Sequence, residues 1–167
     1  MLKSSFITTM GFLVLFSSCG QAPTPDNVIS SLEGKTFDDM TGYFVYYRSR
    51  GSTRKSSIIF VSKYGLNCSP YAVDVIIKDQ QVEFISIDKD LVIKSCGYDY
   101  IDEAQIKALV TKFVSYGVTL LGLDTAGNVY VNPSSQDLAT LVKVKDIAKL
   151  NNAALFKPYK DDWYIKR

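Results

Sequence analysis

Between residues 102 and 117 the chain carries one clear helical stripe, and most of the residues around it follow a strand-like pattern instead. Ile106, Leu109, Val110, Phe113 and Val114 recur at three- and four-residue spacing, so on a helix they form a single apolar face. Asp102 stands at the N-cap position with Gln105 three residues on, a capping-box arrangement. Gly117 follows as the residue that closes a helix in a left-handed conformation. Such a stripe must bury itself against something, and the flanking segments read as strands. Residues 43–48 and 57–61 are aromatic and β-branched. Residues 73–77 and 82–87 alternate around a short polar break, Lys78-Asp79-Gln80-Gln81, which is the pattern of a hairpin. Residues 118–123 and 129–132 form a second hairpin around the turn Asp124-Thr125-Ala126-Gly127-Asn128. Farther on, 138–144 fits strand or helix, 146–152 a short helix, and 162–166 a closing strand. Strands, one main helix, then strands predict an α+β fold: a mostly antiparallel sheet with one main amphipathic helix packed on one face. Cystatin-like proteins and several small inhibitor folds share that outline, a likeness of architecture that carries no function.

Two compositional facts narrow the chemistry. The net charge of +2 on 167 residues gives no ground for nucleic acid as a partner. The chain also has no histidine. A Ser-His-Asp triad, a Cys-His pair within the chain and a His-containing zinc site are therefore excluded. No cofactor or metal is expected.

The N-terminus has the layout of an export signal: Met1-Leu2-Lys3, a mostly apolar stretch over 6–16, then Ser17-Ser18-Cys19-Gly20. The stretch is shorter than the roughly 20 residues a spanning helix needs. Leu15-Phe16-Ser17-Ser18-Cys19 resembles the lipobox of bacterial lipoproteins, with Phe16 where leucine is usual. The resemblance implies cleavage before Cys19 and a lipid on its thiol, with the membrane as first partner. Two or more acyl chains at about 0.8 kcal/mol per buried methylene anchor a protein stably. The expected organisation is a signal peptide over 1–18, a flexible tether over 19–30 and a single α+β domain over 31–167. The expected location is the bacterial cell envelope.

Taking Cys19 for lipid leaves Cys68 and Cys96, an even remainder that predicts one disulfide in an exported chain. Closing that loop contributes on the order of 3 kcal/mol. Candidate binding residues are the basic run Arg48, Arg50, Arg54 and Lys55 between the first two strands, suited to phosphate or carboxylate groups. Asp99, Asp102 and Glu103 are candidate acid–base carboxylates, although acidic residues at a helix start also complement its dipole. Ser52-Thr53-Arg54-Lys55 and Ser86-Ile87-Asp88-Lys89 fit S-x-x-K without its companion motifs. Asp124-Thr125-Ala126 resembles the short O-glycosylation sequon of Bacteroidetes-type bacteria. Tyrosines and Trp163 fit a glycan- or protein-binding face as well as a core. The expected function is a non-enzymatic, lipid-anchored binding domain for a protein, glycan or other envelope component. Two alternatives stand beside it: an inhibitor or immunity-type lipoprotein, and a carboxylate-dependent envelope hydrolase.

Overall fold

The computed structural model describes residues 23–167. Its main helix, α3, runs Glu103–Tyr116 and buries Ile106, Leu109, Val110, Phe113 and Val114, the stripe its sequence carries. The Asp102 carboxylate accepts from the Gln105 amide at 2.8 Å, and Gly117 closes the helix at φ 68°. Only half of the expected capping box forms. The Gln105 side chain donates to the Tyr43 hydroxyl at 2.9 Å and so pins the helix start to the sheet.

Among the described residues, nine strands make that sheet: β1 Tyr43–Arg50, β2 Ser56–Lys63, β3 Tyr71–Lys78, β4 Gln81–Asp88, β5 Leu120–Leu123, β6 Val129–Asn132, β7 Leu141–Lys143, β8 Phe156–Lys160 and β9 Trp163–Lys166. All pairings are antiparallel, in the spatial order β4-β3-β2-β1-β5-β6-β7-β9-β8. The β3–β4 hairpin turns on Asp79 and Gln80, both at positive φ, the geometry that matches the strands' twist. From edge strand β4 the chain runs through α2 (Asp90–Cys96) and α3, then re-enters beside β1. Helix α3 thereby packs across β4, β2 and β1 on one face.

Three elements depart from the expected outline. Residues 25–30, expected as tether, belong to a helix, α1 (Pro25–Leu32), which buries Val28, Ile29 and Leu32 in the core. The signals are local: Thr24 caps the Asn27 amide, proline occupies the first turn and Asp26 faces the positive end of the helix dipole. The folded body therefore starts at Pro25 rather than at residue 31. Helix α2 buries only Val92 and leaves Leu91 and Ile93 exposed, so little periodic signal marks it. Strand β8 contains Pro158 and sits at the sheet's outer edge, where a missing N–H donor is tolerated.

Cys68 and Cys96 form a disulfide, with 5.6 Å between their Cα atoms. It ties the β2–β3 connection to the end of α2, and the Ser69 amide donates to Ser95 Oγ alongside it. Cys19 lies outside the described residues. Among the described residues, no helix is long and apolar enough to cross a membrane.

The main core lies between the helices and one sheet face, and includes Val45, Ile59, Val73, Phe113 and Leu121. A separate, smaller cluster of Tyr130, Val142, Leu150 and Phe156 lies apart from it, with Phe44 and Tyr164 packed against it. The two clusters follow from strand alternation, since successive side chains point to opposite faces. Helices cover one face, and the other carries the cleft described next.

Candidate functional site

Directly paired residues on neighbouring strands share a face. One row on the second face therefore runs Ser62, Phe44, Gly122, Tyr130, Val142 and Tyr164 across β2, β1, β5, β6, β7 and β9. A neighbouring row holds Phe60, Tyr46 and Leu120. Gly122 is required here, because a Cβ at that position would fall 2.2 Å from the Phe44 ring. The glycine leaves a shallow place in the sheet, and Phe44 lies over it.

Phe44 packs against Tyr64 with ring centroids 5.7 Å apart and against Tyr130 at 5.8 Å. Tyr46 meets Phe60 edge-on at 5.6 Å. These separations fall within the favourable range for aromatic pairs. Above this floor stand two walls, one from residues 136–139 and the other from residues 151–156. Together they enclose an open cleft of about 620 Å³. That size is in the range of small-ligand sites. Leu138 and Leu155 stand on its rim, 58% and 48% exposed, as large apolar side chains facing water.

Two floor rings are held by their hydroxyls. Tyr130 Oη donates to Asp124 Oδ2 at 3.0 Å, and Tyr64 Oη accepts from the Asn151 side-chain amide. Asp124 is buried and also accepts from the Ala126 and Asn128 amides and from Asn128 Nδ2, each at 2.9 Å. Asn128 Oδ1 in turn receives the Lys145 and Asp146 amides. The Tyr130 phenol is raised well above its ordinary value, first by burial and then by the Asp124 carboxylate. Tyr46 differs: burial raises its phenol, the Arg48 charge opposes that rise, and no hydrogen bond from the described residues contributes.

Polar groups complete the lining. Ser62, Gln136, Asn151 and Asn152 are neutral, and Arg48 and Lys166 are cationic against the single carboxylate of Asp137. Among the described residues, neither Arg48 nor Lys166 is in an ion pair. Arg48 follows Phe44 and Tyr46 on the same strand face, and the β1–β2 register shifts just there, between Tyr47 and Ser49, so the bulge breaks the alternation before Arg50.

The basic run is thus divided. Arg48 lines the cleft, Arg50 pairs opposite Ser57 on the next register position, and Arg54 and Lys55 are exposed in the β1–β2 turn. That turn is organised from below. The Ser52 amide donates to buried Asp74 Oδ2 at 2.9 Å, and a Cβ on Gly51 would fall 2.1 Å from Asp74 Oδ1. Burial pushes the Asp74 carboxyl up, but hydrogen bonds from Ser52 and the nearby Ser56 hydroxyl outweigh it and hold the group below the usual carboxylate range. Asp74 Oδ1 itself has no partner of good geometry.

The three acidic candidates each have a local task. Asp99 accepts from Tyr71 Oη at 2.5 Å and from Lys89 Nζ at 2.6 Å, and the lysine chiefly holds its carboxyl below the usual range. Asp102 caps α3, and Glu103 pairs with Lys107 one turn on at 2.6 Å. None of the three lines the aromatic cleft. Of the two S-x-x-K serines, Ser52 lies in the β1–β2 turn and Ser86 in edge strand β4, so neither opens a helix. In the sequon-like triplet, Thr125 is exposed while Asp124 is buried in its network. Trp163 is buried in the core, with Lys143 Nζ 5.9 Å from its ring centre.

Alternation alone marks Phe44 and Tyr46 as sharing one strand face. What it lacks is the register that sets them beside Gly122, Tyr130 and the late-chain loop. No known protein family matches the chain, and no curated protein or solved structure matches it either.

Proposed function

We propose that this protein is a non-enzymatic binding module of a bacterial cell envelope, held to the membrane by lipid on Cys19. Its ligand seat is the aromatic cleft on the sheet face that the helices leave uncovered. The observation that carries the seat is the set of fixed rings: Tyr64 and Tyr130 are held by Asn151 and Asp124, and exposed Leu138 and Leu155 border them. A floor ordered before the ligand arrives reduces the ordering cost of binding. The residues 15–19 pattern supports the anchor.

Two measurements test the two halves. Mass spectrometry of the mature protein from its producing cells should show an N-terminal cysteine bearing acyl chains. An unmodified Cys19, or cleavage elsewhere, overturns the anchor. For the seat, backbone amide shifts are followed while the mature chain is titrated with solubilised envelope fractions. Shifts should cluster on the cleft walls and disappear in Leu138→Glu and Leu155→Glu, whose exposed positions leave thermal stability unchanged. Shifts elsewhere on the surface, or binding indifferent to both variants, refute the seat.

A further inference from the structure

The chemistry of the cleft narrows its occupant, on the reading that it is the ligand seat. Three ligand types fit an aromatic floor: an extended peptide, an acyl chain and a saccharide. An extended peptide usually gains affinity by adding a strand to a free sheet edge. The free edges here belong to β4 and β8, whereas the floor comes from β1, β5 and β6, whose backbone groups are already laddered on both sides. An acyl chain needs apolar enclosure, and this cleft is an open groove. A chain lying in it would stay partly wet and leave Ser62, Asn152 and two cations unused.

A sugar ring uses both halves of the lining. Its C–H face packs on rings such as Phe44 and Tyr46, and its hydroxyl edge exchanges hydrogen bonds with side-chain amides. Asn152 supplies an amide beside the floor, Asn151 keeps its side-chain oxygen beyond its bond to Tyr64, and Tyr46 Oη remains available to a ligand. The remaining feature is charge. Arg48 and Lys166 line the same groove with no ion-pair partner among the described residues, and Arg48 shares its strand face with Phe44 and Tyr46. A guanidinium recognises a carboxylate through two parallel hydrogen bonds. Asp137 opposes only one of the two cations, and it accepts from Ser135 Oγ at 2.8 Å.

We infer that the cleft takes an acidic oligosaccharide: sugar rings stack on Phe44 and Tyr46, and their uronate carboxylates meet Arg48 and Lys166. Binding is then sensitive to salt, because the charge pairs lie at an open rim.

Calorimetric titration of the mature chain with trigalacturonate, trimannuronate and neutral galactotriose tests this. At least one uronate trimer should bind saturably, at least tenfold more tightly than the neutral trimer. Arg48→Ala and Lys166→Ala should each weaken that binding at least fivefold with melting temperature unchanged, and Arg48→Lys should restore part of the loss. Equal affinity for acidic and neutral trimers overturns the inference, as does uronate binding indifferent to both cation variants, or no binding of either uronate at millimolar concentration. If these fail while envelope fractions still shift the cleft amides, the saccharide assignment falls and the seat stands. If no envelope fraction touches the cleft, both readings fall together.

Discussion

Asp124 illustrates how one buried carboxylate can hold a surface together. It accepts four hydrogen bonds, two from backbone amides in its own turn and two from the side chains of Asn128 and Tyr130. Buried polar groups are tolerated when each finds a partner, and removing the shared acceptor strands every donor at once. Asp124→Ala should therefore cost about 3 kcal/mol or more, read as a fall in the urea midpoint with an unchanged slope. Because Tyr130 loses its hydroxyl anchor, the cleft floor should loosen too, seen as faster hydrogen exchange over β6. A variant within about 0.5 kcal/mol of the parent would show that the network contributes little.

At the scale of elements, α2 is the piece least able to stand alone. It is short and buries only Val92, and the disulfide from Cys96 to Cys68 holds its end against the β2–β3 connection. The bridge spans 28 positions of sequence, so it restricts the unfolded chain by about 3 kcal/mol. At roughly 2–4 °C per kcal/mol for a chain of this size, reduction should lower the melting temperature by about 6–12 °C. Far-ultraviolet circular dichroism should change little, because the sheet and α3 do not depend on the bridge. An unchanged melting temperature under reductant would show that packing alone holds α2. The opposite balance governs α3, whose six buried side chains, from Ile106 to Tyr116, anchor it without a covalent tie.

Across the whole molecule, tyrosine hydroxyls join elements distant in sequence. Tyr71 Oη donates to Asp99 and accepts from the Tyr100 and Ile101 amides, tying β3 to the approach of α3. Tyr116 Oη donates to the Thr36 carbonyl and ties α3 to the segment after α1. Burial raises the phenols of Tyr71 and Tyr130, and it is the largest of the causes that push Tyr100 up to about 12. A phenol raised in the folded state is stabilised in its neutral form. Its contribution is intact below the ordinary phenol value of about 10 and is lost as pH climbs from there toward 12. Stability should fall over that window, and a late class of tyrosinate absorbance should emerge together with loss of circular dichroism. A single smooth tyrosine titration with the dichroism preserved would contradict this.

Local pattern was enough to specify α3, since its stripe, cap and closing glycine lie within sixteen residues of sequence and need no partner to be recognised. Alternation likewise specified the hairpins β3–β4 and β5–β6, and with them the α+β class. Thr24, Pro25 and Asp26 carried a readable helix start too, although the short polar run around them also fitted a tether. Cys68 and Cys96 pointed to each other through parity once Cys19 was taken for lipid. Register and face were different. Whether Phe44 faces a helix or a groove depends on its pairing with Gly122 and Ser62, contacts made across tens of residues. The basic run looked like one patch because its members are close in sequence, yet Arg48 keeps the face of Phe44 and Tyr46 while a single bulge turns Arg50 out of that alternation. Sequence by itself determined α3, the two hairpins and their alternating faces, because those arise from short-range periodicity. Only the tertiary structure decided which face stayed uncovered and what gathered there, because a sheet brings together residues whose spacing along the chain carries no period.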